Sequence, residues 1–294
     1  MAVTQTRLRH KGGIPPYGLL LLPAVGFMLL VYAYPFVSSV ITSFVSPSGG
    51  LSLVNFQKTI DLYLKDIVFT LLVTTSNTVM ILVAAIMFAV YLRMSDTAVS
   101  RLLSHIYKLG IFIPFVVVAQ MMRSFLAPHG MLNVALAQLG LINIDRPLQL
   151  FNYAGLTFGF MWKLVPFAVL IVHGGFQMID NSYLEAARST GARLFHVVTR
   201  ILVPMNKSSI LVATVLVYAQ IVSTFTLPYM LIGGKIPTTI TVDIAHRVNY
   251  FRDFGVANAL GVVSYVFVLV TAVYYLKNSM KQHQGKKVKE VVHA

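Results

Sequence analysis

Long uncharged and mostly apolar stretches divide this chain of 294 residues. Four intervals between charged residues contain no charge at all: 11–58, 66–93, 207–235 and 253–277. Two further intervals, 108–145 and 146–180, each contain one internal charge, Arg123 and Lys163 respectively. A helix needs about 20 apolar residues to cross a hydrocarbon core of about 30 Å, and every interval contains such a run.

The pattern predicts six membrane-spanning segments, at 17–41, 67–92, 109–127, 153–177, 209–232 and 254–276. Lipid offers an open backbone no hydrogen bonds, so these segments must be helices or a closed barrel. Barrel strands alternate apolar and polar residues, and runs such as ILVAAIMFAV at 81–90 do not. We therefore predict an all-α integral membrane protein. It has an N-terminal tail at 1–16, a transmembrane domain at 17–277 and a basic tail at 278–294.

Composition and charge agree with this interpretation and add an orientation. Hydrophobic residues make up 57% of the chain and charged residues 11%, about half the usual fraction in soluble domains. Fifteen Lys and Arg residues fall on the side of the predicted bundle that carries both termini, and six fall on the other. The positive-inside rule places both termini in the cytoplasm. The basic tail is interpreted as a lipid-facing anchor rather than a nucleic-acid patch.

Several kinds of chemistry are missing from the sequence. There is no cysteine, no His, Asp and Glu grouping at metal-ligand spacing, and no P-loop that would bind ATP. All nine acidic residues fall outside the predicted spans, whereas ion-coupled carriers usually keep a carboxylate at membrane depth. We therefore expect no catalysis, cofactor or metal in the chain itself. Any pumping energy must come from a partner.

The connection between the fourth and fifth predicted spans, at 180–208, contains a helical hairpin. Ser182 and Glu185 have the spacing of a capping box, which predicts a first helix from Tyr183 to about residue 190. Gly191 suits the left-handed residue that ends a helix. A second helix is predicted at 192–203, with Phe195, Val198, Ile201 and Leu202 on one face, and Pro204 ends it or kinks its junction. From the residues alone, a membrane-surface connector and a docking element are both open.

This hairpin resembles the EAA loop of binding-protein-dependent ABC importer permeases. The matching residues are Glu185, Ala186, Ala187, Gly191, Ile201 and Pro204, although Val203 replaces the usual Leu. Further stretches resemble the sugar-type, maltose-like branch, at 21–44, 130–143, 161–167, 227–234 and 254–267. The segment LIGGKIPTT at 231–239 departs from that branch's usual form.

The resemblance implies a type I ABC importer permease fold in a prokaryotic cell membrane. It implies that the hairpin forms coupling helices in a cleft of a separate dimeric ATPase, with Glu185, Ala186 and Gly191 facing it. A second permease, which completes a pseudo-twofold pair, and an extracytoplasmic solute-binding protein are the other implied partners. ATP would be bound by the partner ATPase, and the solute would be a sugar, in our expectation a di- or oligosaccharide.

Polar residues inside the predicted spans are candidates for lining the solute path. They are Asn77, Gln120, Gln177, Gln220, Ser223, Thr224 and the single ammonium of Lys163. Amides and hydroxyls suit a sugar, but the same groups also join helices in membranes. Lys163 leaves open helix packing, sugar contact or an anion such as glycerol 3-phosphate. Other open alternatives are another ABC branch, an ATP-independent secondary carrier and a membrane scaffold.

Overall fold

The computed structural model describes residues 20–46, 48–233 and 237–292. The predicted tail at 1–16, the start of the first span at 17, residues 234–236 and the end of the basic tail lie outside them. The described residues form twelve main helices, α1 to α12, at Leu22–Ser43, Val54–Met94, Ala98–Ile106, Phe115–Leu126, Met131–Gln138, Tyr153–Gln177, Asn181–Ser189, Leu194–Met205, Lys207–Ser223, Thr226–Ile232, Ile240–His246 and Phe254–Val292. A 3₁₀ helix at Tyr107–Phe112 extends α3, and a π-helix at Arg247–Phe251 extends α11. The all-α prediction is confirmed.

Four of these helices are long and apolar enough to cross a membrane alone: α1, α2, α6 and the first 21 residues of α12. Two bent pairs in the described residues could supply two more crossings. Residues 98–112 meet 115–138 at 102°, and α8 meets α9 at 75°. The first bend divides the predicted third span, because Pro114 forces Ile113 into extended backbone at φ −75° and ψ 121°. The predicted fifth span is likewise divided, into α9 and α10.

Helix α2 has 41 residues and is therefore about 60 Å long, twice the thickness of a hydrocarbon core. Its C-terminal end reaches the hairpin at 180–206. Its N-terminal end, with Lys58, Asp61 and Lys65 exposed, extends away on the opposite side, which we call the distal end. Helix α12 is almost as long and continues to Val292, so the segment predicted as a tail at 278–294 is helical over most of its length.

Helix α6 is the centre of the bundle. One face is fully buried from Leu156 through Phe160 and Leu164 to Phe176, packed against α2, α4, α9 and α10. Its first turn is capped by Asn152, whose Oδ1 accepts the N–H of Ala154 at 2.9 Å. Because α6 leads directly into the hairpin, its packing fixes where that hairpin begins.

Candidate coupling hairpin and solute path

The first hairpin helix, α7, begins two residues earlier than expected, at Asn181, and with a different cap. Asp180, not Ser182, is the N-cap residue, and its Oδ1 accepts the backbone N–H of Ser182 at 2.8 Å. The predicted capping box is therefore wrong, because the carboxylate of Asp180, two residues upstream of Ser182, supplies the capping acceptor instead. These hydrogen bonds, from the backbone N–H and then the hydroxyl of Ser182, hold the pKa of Asp180 below its ordinary value.

Gly191 ends α7 in the left-handed conformation, at φ +69°, as predicted. The N–H of Gly191 donates to Arg188 O at 2.9 Å, and the N–H of Ala192 donates to Ala187 O at 3.0 Å. These two bonds form a Schellman motif, which closes the free carbonyls at the end of the helix. A Cβ on Gly191 would meet no atom within 4 Å, so the backbone conformation rather than crowding requires glycine here.

The second hairpin helix, α8, differs from the regular amphipathic helix predicted at 192–203. It starts at Leu194 and contains a π turn at Val198–Leu202. The π turn shifts the register of the buried face, so Val197 and Leu202 are buried while Phe195 is 73% exposed. The placement of Phe195 on the apolar face is thus wrong, whereas Leu202 lies where it was expected.

An apolar cluster joins the hairpin to the bundle. Leu184, Ala187, Val197 and Leu202 from the hairpin pack with the buried ends of α2, α6 and α9. The bend that follows Pro204 lies at Asn206, which is buried and whose Nδ2 donates to Val172 O at 2.9 Å. The hairpin is therefore packed onto the bundle as a unit rather than attached only at its two chain ends.

The outward surface of the hairpin is open. Glu185, Ala186 and Gly191 are exposed, Ala187 is buried beneath them, Ile201 is partly buried and Pro204 is exposed. A groove of about 420 Å³ runs between α7 and α8, lined by Ala186, Ala187, Thr190 and Ile201 among others. Small side chains on its floor allow another protein to approach the backbone closely.

Arg93, the last charged residue of α2, reaches across to the start of the hairpin. Its Nε donates to Phe176 O at 3.0 Å, and one terminal nitrogen donates to Ile179 O at 2.9 Å and to Asn181 Oδ1 at 2.5 Å. No local pattern predicts this contact, because the partners of Arg93 lie more than 80 residues away in the chain.

One of the predicted path residues, Gln120, lines a groove. It is exposed on α4, beside Phe125, Phe158 and Trp162, in a mostly apolar groove of about 480 Å³. The rings of Phe125 and Phe158 are stacked with centroids 6.1 Å apart. An amide beside aromatic faces is a common arrangement in small-molecule sites.

The ammonium of Lys163 is bound to backbone. Lys163 is 8% exposed, and its Nζ donates to the carbonyls of Ile113 at 2.5 Å, Ile111 at 3.0 Å and Gly110 at 3.4 Å. An ammonium has three donors, and three carbonyls at the break before α4 take them. Of the roles left open by the sequence, these contacts support helix packing.

The other candidates for the solute path differ in burial and in their hydrogen bonds. Asn77 is fully buried, and its Nδ2 donates to Val73 O of its own helix. Ser223 and Thr224 turn their hydroxyls back to Gln220 O at the end of α9. Gln177 and Ser223 are exposed, while Gln220 and Thr224 are partly buried. The structure thus does not bring the set together around one cavity within the described residues.

Two buried carboxylates at the distal end were not predicted from the sequence. Asp66 and Asp243 are 6% and 4% exposed, and Asp66 Oδ1 accepts the N–H of Thr238 at 2.7 Å. Asp243 lies on the short helix α11, which connects α10 to α12. Burial, and then the nearby Asp66 carboxylate, raises the pKa of Asp243 to about 8, against an opposing effect of Arg247. No period or spacing links these two residues, which are far apart in the chain.

An apolar helical bundle that presents a packed EAA-type hairpin defines the permease subunit of an ATP-binding cassette importer, and comparisons with known proteins agree. Residues 81–282 match the family described as binding-protein-dependent transport system inner membrane component. The chain belongs to this family. Its members are multi-pass transport subunits that do not themselves hydrolyse ATP.

Three individual relatives and one solved structure are similar to half or more of the chain. The sulfoquinovosyl glycerol transport system permease SmoG of Agrobacterium fabrum is 30% identical, over 87% of this chain and 88% of its own. The trehalose/maltose permease MalF of Thermococcus litoralis is 30% identical over 51% and 52%. The spermidine/putrescine permease PotB of Escherichia coli is 25% identical over 85% and 94%. A bacterial ABC transporter that imports the polysaccharide alginate has the same fold, with a TM-score of 0.71, 21% identity and coverage of 88% and 94%.

Proposed function

We propose that this chain is the permease through which an ABC importer in a prokaryotic plasma membrane takes up a sugar or glycoside. The observation that carries the proposal is the 30% identity to a glycoside permease over 87% of the chain, together with the sugar-type stretches in the sequence. The maltose-type relative points to the same class of solute over half the chain. The partners are a second permease, a dimeric ATPase and an external solute-binding protein.

The hairpin at 180–206 is the element on which the ATPase acts. Its exposed Glu185, Ala186 and Gly191 form the contact surface, and Ala187 and Leu202 carry the displacement into the bundle. The excess of Lys and Arg on this side supports a cytoplasmic position. ATP binding moves the hairpin, the spans change between inward-open and outward-open arrangements, and hydrolysis resets them, so two distant sites share a coupling free energy.

Polar, hydroxyl-rich solutes fit the path residues best. The groove beside Gln120 offers an amide and aromatic faces, which match the hydroxyls and the apolar faces of a sugar ring. An anionic solute such as glycerol 3-phosphate would need Lys163, whose three donors are already taken by carbonyls. A polyamine, the solute of one relative, would need carboxylates along the path, and all nine acidic residues lie outside the predicted spans.

Reconstitution tests the proposal. The chain, its partner permease and its ATPase are placed in liposomes, and the binding protein is added with radiolabelled sugars, glycosides, glycerol 3-phosphate or spermidine. We expect uptake of a sugar or glycoside that requires both ATP and the binding protein. Uptake driven by a proton or sodium gradient without ATP would contradict the importer assignment. ATP-dependent uptake of spermidine or glycerol 3-phosphate alone would contradict only the solute class.

Sidedness is tested separately, and the absence of cysteine makes this simple. Glu185→Cys and, on the opposite side, Gly140→Cys are labelled in intact cells with a membrane-impermeant maleimide. We expect Cys at 140 to react from outside and Cys at 185 only after lysis. The reverse pattern would overturn the coupling role of the hairpin.

A further inference from the structure

We propose that Arg93 is a positioning residue that clamps the hairpin at 180–206 to the end of α2, so that α2 moves together with the hairpin. The inference rests on the coupling role proposed above, but its geometric part stands independently. It adds a contact that lies outside the EAA-type residues and on a different helix.

The three acceptors of Arg93 belong to three consecutive parts of the chain. Phe176 O is in the last turn of α6, Ile179 O is in the link 178–180, and Asn181 Oδ1 is on the first residue of α7. One guanidinium therefore spans the whole junction between the central helix and the hairpin. The junction is short, so fixing its three parts fixes the direction in which α7 leaves the bundle.

The chemistry of the side chain suits this task. The carbonyls in the last turn of a helix have no partners within the helix, and a cation near them is favoured by the helix dipole. A guanidinium presents several N–H donors in one rigid plane, so it can hold separate acceptors at fixed angles. A lysine ammonium at the same place is a single point and cannot reproduce the separation of the Nε and terminal nitrogen contacts.

The surroundings make the clamp stiff. Immediately beneath it, Ala89 and Val90 of α2 are buried in the same apolar cluster as Phe176, Ile179 and Leu184. Arg93 is partly buried and borders an open polar pocket of about 400 Å³, whose wall includes Glu185 and Arg188 of the hairpin. Displacing α7 would therefore pull on the end of α2 through the guanidinium and through this packing together.

Spin-label distances test the geometric part. In the cysteine-free chain, Met87→Cys on α2 and Ser189→Cys on α7, both exposed positions, carry the labels. With Arg93 intact we expect a narrow distance distribution in the assembled transporter. We expect a broad one with Arg93→Gln and an intermediate one with Arg93→Lys. Arg101→Gln, which changes an exposed arginine of α3, is the matched control and should leave the distribution unchanged.

Energy coupling is measured on the same preparations as solute transported per ATP hydrolysed. We expect Arg93→Gln to lower this ratio by about fivefold or more, the lower range of typical coupling between sites, with partial rescue by Arg93→Lys. A purely structural role would lower the melting temperature and total activity and leave the ratio unchanged. An unchanged distance distribution or an unchanged ratio in Arg93→Gln overturns the proposal.

The two hypotheses fail in different ways. If no ATPase copurifies with the wild-type chain, the proposed function fails, whatever the spin labels show. If the wild-type transporter couples ATP to uptake but Arg93→Gln behaves like Arg101→Gln in both measurements, the proposed function stands and the clamp is wrong.

Discussion

The side chain of Asn206 occupies the space beside Gly175 that a β-carbon would fill. A Cβ built on Gly175 overlaps Asn206 Oδ1 and the hydroxyl of Ser209, while Asn206 Nδ2 donates to Val172 O at 2.9 Å. The 75° bend between α8 and α9 thus rests directly on the backbone of α6. The hairpin enters and leaves the bundle at one place, held by Asn206 on one side and by Arg93 on the other.

We expect Gly175→Ala to destabilise this bend by about 1–3 kcal/mol, because an added methyl in a packed site forces its neighbours to move. The melting temperature of the detergent-solubilised chain should fall, and solute uptake should fall with it. Gly174→Ala is the matched control, since a Cβ there meets nothing within 4 Å. Equal melting temperatures for the two variants would contradict the close approach of Asn206.

A substitution at Gly191, compared with one at Gly140, distinguishes the effect of backbone strain from a role in docking. Gly191→Val should cost roughly 1–2 kcal/mol of left-handed strain and also place a bulky side chain on the exposed hairpin surface. We expect membrane insertion to persist while ATPase copurification or uptake is lost. Gly140→Val, with a similar φ of +70° and equally open space, carries the same strain outside the hairpin and should transport normally. Normal uptake by Gly191→Val would refute the docking role.

Lys163→Met distinguishes helix packing from solute contact. The carbonyls of Gly110, Ile111 and Ile113 would lose their shared donor, and leaving buried groups unpaired costs about 1–3 kcal/mol. We expect a lower melting temperature with an unchanged KM for uptake. Lys58→Met, at an exposed position of α2, should change neither. A raised KM with an unchanged melting temperature would instead place the ammonium in the solute path.

Stability should depend on pH through Asp243. Its pKa is raised to about 8 in the folded protein, against about 3.9 in an unfolded chain. Between these values the folded state binds the extra proton, so stability falls as the pH rises from about 4 to 8 and levels off above that. Asp243→Asn should flatten this part of the melting-temperature profile. Asp61→Asn, at an exposed position, should retain the wild-type slope, and identical profiles for the two variants would contradict the assignment.

The parts of the structure that follow from local patterns were predictable. Runs without charge predict helices, because lipid leaves the backbone few alternatives, and Gly191 has the left-handed conformation that its position after α7 indicates. Local residues also predict the helical hairpin, and its resemblance to the EAA loop supplies the expected role. These features depend on residues close to one another in the chain.

The features that could not be predicted depend on competition or on distant partners. Asp180 and Ser182 are both good N-caps, and only the geometry decides that Asp180 accepts the bond. The π turn in α8 places Val197 and Leu202, five residues apart, on the buried side, which no regular helical periodicity reveals. Arg93 counted in the sequence only as a positive charge at the end of a span, and its partners at Phe176 and Asn181 appear only in the fold.

The uninterrupted length of α2 connects events on opposite faces of the membrane. One end carries Arg93 at the hairpin, and Asp66, about 40 Å away along the helix, contacts the connection that contains Thr238. A rod of about 60 Å that tilts by about 5° about one end displaces the other by about 5 Å. A small movement of the hairpin would therefore displace the distal end by several ångströms, with no relay of side chains in between.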